Sequence, residues 1–171
     1  LAQASPQARF VGPLAVRKQL EQWGISRERI LPAPSAELDL GEELWVKTIP
    51  AAHPRIRFDQ DSQPQAVGYL FRHHGRSLYL AGDTSVCDEL LEALKGVRPI
   101  DTALLPVNED NFFRRRRGIV GNMSIREAFG LAAELGIQRV VPVLWDMFAF
   151  NRASRQEIVA VYQTEVWRFH L

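Results

Sequence analysis

The sequence predicts an α/β fold, because short apolar runs typical of strands alternate along the chain with segments of helical periodicity. The composition agrees with a folded globular protein, since hydrophobic residues make up 46% and charged residues 24% of the chain. No repeat and no low-complexity segment interrupts the pattern. A length of 171 residues fits one domain, so we predict that residues 1–171 form a single domain.

The first third of the chain predicts one helix and two strands. Apolar residues at near-helical spacing follow Pro13, a residue favoured in the first turn of a helix, and Gly24 provides the stop. A later run of β-favouring residues ends at Pro50, which suits a strand end. The predicted elements are a helix over residues 13–23, a short strand over 29–31, a turn over 38–43 and a strand over 44–49.

The middle of the chain predicts a β-hairpin followed by a helix. Two strand-type runs flank the segment from His73 to Arg76, in which Gly75 allows the positive φ of a tight turn. Ser85 is a suitable N-cap for the next helical pattern. The predicted elements are strands over residues 66–72 and 77–81 and a helix over 86–94.

The last third predicts strands and helices in alternation. Ser124 and Glu127 have the spacing of a capping box, as do Ser154 and Glu157, and Gly136 is a suitable C-cap. The predicted elements are strands over residues 100–107, 139–143 and 163–169, a loop over 108–122, and helices that begin after Ser124 and after Ser154.

Charge and cysteine content narrow the class of protein. Lysine and arginine number 21 against 20 acidic residues, so the net charge of +1 argues against a surface built throughout to bind nucleic acid. No apolar run approaches the roughly 20 residues of a membrane-spanning helix. The only cysteine, Cys87, cannot form an intrachain disulfide, and we therefore expect a cytoplasmic protein.

Polar residues follow four predicted strands, where reactive groups of α/β sheets collect. We single out His53 and Asp83 as candidate metal ligands and catalytic groups, and Asp146 as a weaker candidate ligand. Asn108 and Glu109 are candidate substrate-binding residues. Two simpler interpretations stay open: His53 hydrogen-bonded to backbone, and Asp83 capping the next helix.

Four consecutive arginines, Arg114, Arg115, Arg116 and Arg117, lie in the long predicted loop. Guanidinium groups bind phosphate in bidentate fashion, so this run is a candidate anion site. Adjacent side chains point in different directions, so at most two arginines can face one ligand. A solvated loop or a contact within a homo-oligomer is the alternative.

Together these segments resemble the second half of a metallo-β-lactamase-fold hydrolase, and within that superfamily they are most similar to the L-ascorbate-6-phosphate lactonase group. The similarity covers most of the chain. Its motifs are Ala51-Ala52-His53, Ala66-Val67-Gly68-Tyr69-Leu70, Leu80-Ala81-Gly82-Asp83-Thr84, Asn108-Glu109, Gly118-Ile119-Val120-Gly121-Asn122-Met123-Ser124 and Val141-Pro142-Val143-Leu144-Trp145-Asp146.

The resemblance implies part of an αβ/βα sandwich with a divalent metal, Mn²⁺ or Zn²⁺, at its rim. By position, His53 matches a late histidine ligand and Asp83 matches an aspartate that often bridges two metals. The chain departs from the family in two ways. It lacks the His-x-His-x-Asp-His motif, so we expect it to be a C-terminal portion, and Leu144 stands where relatives tend to have histidine.

Three functions follow as expectations. The first is a metal-dependent hydrolase of a phosphorylated sugar lactone or ester, with Arg114–Arg117, Asn108 and Glu109 binding the substrate. The second is a nuclease or phosphodiesterase of the same fold, which the near-zero net charge disfavours. The third is a degenerate subunit that binds without catalysis, which Leu144 and the missing motif favour.

Overall fold

The computed structural model describes residues 2–108, 112–119 and 121–171. These residues form eight strands and five α-helices that are mixed along the chain, so the predicted α/β fold is confirmed. The strands are β1 (Phe10–Gly12), β2 (Ile30–Pro32), β3 (Leu38–Gly41), β4 (Leu44–Pro50), β5 (Val67–His73), β6 (Arg76–Leu80), β7 (Thr102–Pro106) and β8 (Arg139–Val143). The helices are α1 (Leu14–Gln22), α2 (Asp88–Lys95), α3 (Phe112–Arg116), α4 (Ile125–Leu135) and α5 (Arg155–Thr164).

Six of the strands form one mixed sheet in the order β3-β4-β5-β6-β7-β8. Neighbouring strands from β3 to β6 run antiparallel, whereas β6, β7 and β8 run parallel. The parallel arrangement places the carboxyl ends of β6, β7 and β8 at one edge of the sheet. Strands β1 and β2 form a separate parallel pair, which the Tyr69 hydroxyl contacts by donating a hydrogen bond to the Val11 carbonyl at 2.7 Å.

Two tight turns set the register of the antiparallel strands. Glu42 and Glu43, at φ 55° and 59°, connect β3 to β4, and His74 and Gly75, at φ 45° and 72°, connect β5 to β6. Positive φ at both central residues is the type I′ geometry that matches the twist of a hairpin. The hairpin predicted around Gly75 is therefore confirmed.

The hydrophobic core lies between one face of the large sheet and helices α2, α4 and α5. Tyr79 and Leu105 from the sheet, Leu90 from α2 and Phe129 from α4 are all fully buried there. The capping box predicted at Ser124 is confirmed, because Ser124 and Glu127 exchange side-chain and backbone hydrogen bonds. Gly136 ends α4 in the left-handed conformation, as predicted.

Two predictions in the first half of the chain need correction. The turn predicted over residues 38–43 is a strand, β3, followed by the turn at Glu42 and Glu43. The helix predicted over 86–94 begins later, at Asp88, with Cys87 as its N-cap residue. Ser85 does not cap this helix: it lies two residues before the N-cap, and its hydroxyl donates to the Gly121 carbonyl at 3.4 Å.

Two further predictions are wrong near the C-terminus and in the arginine segment. The strand predicted over residues 163–169 is absent from the described structure: α5 extends to Thr164, and only His170 pairs with the sheet, in an isolated bridge to Arg139. Trp167 and Phe169 alternate because both rings pack on Phe129. The predicted loop over residues 108–122 contains α3.

No helix in the described part of the chain is long and apolar enough to cross a membrane. The face of the large sheet opposite α2, α4 and α5 remains partly uncovered. Leu78, Leu80 and Val141 lie on this face and are 37–39% exposed.

Candidate functional site

Two loops meet at the edge of the sheet, one after β4 and one after β6. The Ala52 N–H donates a hydrogen bond to the Thr84 hydroxyl at 2.9 Å, and the Ala52 carbonyl accepts one from the Ser85 N–H. Ala52 and Thr84 are both fully buried. Because Ala52 precedes His53 and Thr84 follows Asp83, these bonds hold the two candidate residues on adjoining loops.

The Asp83 carboxylate is held from the other side by an asparagine that precedes α4. Asn122 donates through Nδ2 to Asp83 Oδ1 and to Asn108 Oδ1, both at 3.0 Å. Asn108 in turn donates through its own Nδ2 to the Leu144 carbonyl at 3.0 Å. We call the side chains of Asn108 and Asn122 the amide relay, and it connects the loops that follow β6, β7 and β8.

The side chain of Asn108, a candidate substrate-binding residue, takes part in the amide relay. Asn108 is only 4% exposed, and both ends of its side chain bond to protein atoms. The structure thus gives Asn108 an internal contact, and its contact with substrate stays a prediction. Glu109, the other candidate beside it, lies outside the described residues.

Leu144 occupies an unusual backbone conformation at the end of β8. Its φ is 62°, in the left-handed region that a bulky residue rarely adopts. The leucine side chain has no lone pair for a metal, as the sequence already shows. Asp146, two residues further, is exposed to solvent.

The arginine run is divided between different surroundings. Arg114 donates through Nη1 to Asn151 Oδ1 at 2.9 Å, which connects α3 to the loop after β8. Arg115, Arg116 and Arg117 are all exposed, and of these three Arg115 lines a cavity of about 310 Å³. The same cavity is lined by Pro54, which follows His53, and by Ser85, which lies two residues after Asp83. Asn122 of the amide relay lines it as well.

Two candidate metal donors lie on the adjoining loops. His53 and Asp83 offer an imidazole nitrogen and a carboxylate oxygen, donors that suit Mn²⁺ or Zn²⁺. However, nowhere in the described ranges do three or more histidine, cysteine, aspartate or glutamate side chains form a group able to hold a metal ion. The predicted set of His53, Asp83 and Asp146 is therefore not brought together as such a group.

Three polar residues at this edge were not singled out from the sequence: Thr84, Ser85 and Asn122. Ser85 was interpreted only as a helix cap, and Asn122 was quoted in a motif without a role. Asn122 precedes the capping-box residue Ser124 by two positions, so its location beside a helix start was the one signal available. Its partners are 14 and 39 residues away in the chain.

Comparison with known proteins identifies the family. A sequence model described as "Beta-lactamase superfamily domain" matches residues 1–145. The chain belongs to this superfamily. The resemblance inferred from its motifs is thereby confirmed, and its fold is the metallo-β-lactamase fold.

Curated relatives of this superfamily member include "Uncharacterized protein Rv0906" of Mycobacterium tuberculosis, 25% identical over 83% of this chain and 38% of that protein. The "Probable L-ascorbate-6-phosphate lactonase UlaG" of Salmonella paratyphi B is also 25% identical, over 90% of this chain and 45% of its own length. This chain thus spans less than half the length of these two relatives.

A solved structure has the same fold. Igni18, described as a metallo hydrolase from the archaeon Ignicoccus hospitalis, superposes with a TM-score of 0.68 at 22% identity. The match covers 92% of this chain and 61% of Igni18. At this identity the similarity concerns the fold alone.

Proposed function

We propose that this chain forms part of a metal-dependent hydrolase that opens a lactone or ester of a phosphorylated sugar. The observation that carries the proposal is the pair of hydrogen bonds that Ala52 forms with the other loop, donating to Thr84 and accepting from Ser85. These bonds hold His53 and Asp83 on adjoining loops. Membership of the superfamily supports a hydrolase, and the relative described as a lactonase supports the substrate class.

In this proposal His53 and Asp83 bind the metal, and further ligands come from residues outside those described. If held there, a divalent ion would supply Lewis-acid chemistry, which lowers the pKa of water and polarises the bond under attack. We expect Asp83 to act in a fixed orientation, because Asn122 holds one of its oxygens.

We assign the phosphate contact to Arg115 first among the four arginines. Arg115 lines the cavity that Ser85 and Asn122 also line, so a ligand there lies beside the loop bearing Asp83. A guanidinium group bonds phosphate through charge-assisted hydrogen bonds. We expect Arg115→Ala to raise KM for a phosphorylated lactone about 10- to 100-fold, the equivalent of roughly 1.5–3 kcal/mol. Arg168→Ala, which removes an exposed arginine between the packed rings of Trp167 and Phe169, is the matched control.

The test of the hydrolase combines metal content with turnover in the full-length protein. His53→Ala and Asp83→Asn should each lower bound Mn²⁺ or Zn²⁺ and abolish lactone hydrolysis. His74→Ala and Asp61→Asn change the same residue types on exposed turns and should leave both measurements unchanged. Metal binding and turnover that survive His53→Ala and Asp83→Asn would refute the proposal.

A non-catalytic binding subunit is the second candidate, because Leu144 offers no ligand atom and the described residues lack a three-donor group. It predicts phosphate-ester binding in the full-length protein without stoichiometric metal. A nuclease is a further outcome, which a steep fall of RNA affinity with salt would favour. Cytoplasmic location and a homo-oligomer stay predictions.

A further inference from the structure

The amide relay has an orientation that its hydrogen bonds determine. Asn122 uses both hydrogens of Nδ2, one for Asp83 Oδ1 and one for Asn108 Oδ1. If this amide were flipped, Asn122 Oδ1 would face Asp83 Oδ1 and Asn108 Oδ1. All three oxygens are hydrogen-bond acceptors, so neither bond could form. Only the observed orientation therefore lets Asn122 donate to Asp83.

The relay is anchored more firmly at its far end than at Asp83. Asn108 is buried, its backbone N–H donates to the Met123 carbonyl at 2.9 Å, and its Nδ2 donates to the Leu144 carbonyl. Asn108 Oδ1 also accepts from the backbone N–H of Asn122 at 3.3 Å. Asn122 is half-buried and Asp83 is exposed. The rigid part of the relay thus lies behind the carboxylate, where it can fix the position of Asp83.

We propose that Asn122 is a positioning residue that holds Asp83 Oδ1, so that the carboxylate would be oriented for a divalent metal if one were bound. Asn108 acts through Asn122 by fixing its amide. This inference rests on the proposed function, because it takes Asp83 as a metal ligand. Partners that orient a metal ligand commonly affect metal affinity by 10- to 100-fold when they are removed.

The experiment measures Mn²⁺ affinity of the full-length protein by calorimetry. We expect Asn122→Ala to weaken binding about 10- to 100-fold. Ser124→Ala is the matched control, since it removes the cap of α4 two residues away and lowers thermal stability without touching Asp83. Equal losses of Mn²⁺ affinity in Asn122→Ala and Ser124→Ala would show a merely structural role and overturn the proposal.

A double variant separates positioning from any independent effect of Asn122. In an Asp83→Ala background, adding Asn122→Ala should not weaken the residual Mn²⁺ binding further, because no carboxylate remains to be positioned. A further loss would overturn the inference. If Asp83→Ala itself leaves Mn²⁺ affinity unchanged, the proposed function fails; if only Asn122→Ala leaves it unchanged, the positioning role alone fails.

A metal-free measurement tests the hydrogen bond directly. We expect the side-chain NH₂ resonances of Asn122 to be protected from solvent exchange in the wild-type protein, and this protection to fall in Asp83→Ala. Identical exchange rates in the two proteins would show that the Asn122 to Asp83 bond does not form in solution, and the inference would be wrong.

Discussion

Replacing Thr84 with valine tests whether the hydrogen bond between the loops after β4 and β6 stabilises the candidate site. Valine has nearly the shape of threonine but cannot accept the hydrogen bond that the Ala52 N–H donates at 2.9 Å. Both residues are fully buried, so water cannot replace the lost acceptor. A buried donor left without a partner costs about 1–3 kcal/mol, and we expect Thr84→Val to lower the free energy of unfolding by that amount.

The assay is urea unfolding followed by a metal titration. Thr84→Val should lower the urea midpoint without changing the slope of the transition, because the surface exposed on unfolding stays the same. In the full-length protein, Mn²⁺ affinity should fall as well, since the Ala52 to Thr84 bond holds the loop that carries His53. The Ser85 to Ala52 bond remains and keeps the loops together in the variant.

Thr48→Val is a control of the same chemistry at a distance from the site. The Thr48 hydroxyl donates to the Pro34 carbonyl at 2.6 Å, on the side of the sheet where β3 and β4 pair. Its loss should cost about 1 kcal/mol and leave Mn²⁺ affinity unchanged. The reasoning is refuted if Thr84→Val unfolds at the wild-type urea concentration, or if both variants lose metal affinity equally.

Three further predictions concern stability, each measured by urea unfolding. Gly68→Ala should destabilise the protein by about 1–3 kcal/mol, since a Cβ there would lie 2.8 Å from the Ala81 carbonyl oxygen in a packed sheet. The Ser77 N–H, donating to Asp101 at 2.7 Å, lowers the pKa of Asp101, so the carboxylate stabilises the fold above its unfolded pKa of about 3.9. That contribution should disappear as the pH falls through the lower folded pKa, and Asp101→Asn should flatten this pH dependence. Leu144→Gly should be about 1–2 kcal/mol more stable than Leu144→Ala, because only glycine adopts φ 62° without strain; equal midpoints would contradict this.

The parts of the fold that the sequence predicts well are set by neighbours in the chain. The hairpin at Gly75 and the capping box of Ser124 and Glu127 both depend on residues a few positions apart. The incorrect prediction of a strand over residues 163–169 shows the limit of reasoning from local patterns. Its alternating pattern comes from aromatic packing of Trp167 and Phe169 on α4, a contact that no local pattern distinguishes from a sheet face.

The candidate site could also be predicted only in part from the sequence. His53 and Asp83 could be proposed because each follows a strand, and the resemblance pairs them. The amide relay could not, because Asn122 meets Asp83 and Asn108 only after three strand ends have come together. Asparagine is also common in loops for its turn-forming tendency, so its presence before α4 carries little information by itself.

Leu144 and the amide relay affect two different properties of the candidate metal site. The relay concerns the orientation of Asp83, and Leu144 concerns the number of ligand atoms. The relay contacts only the carbonyl of residue 144, so its hydrogen bonds do not depend on which side chain that residue has. A leucine there therefore leaves Asp83 oriented while contributing no ligand atom, at the cost of a strained backbone. Orientation of Asp83 and a complete ligand set are thus separable properties. The catalytic and non-catalytic hypotheses consequently differ in the donors that join His53 and Asp83, and the positioning of Asp83 by Asn122 does not distinguish them.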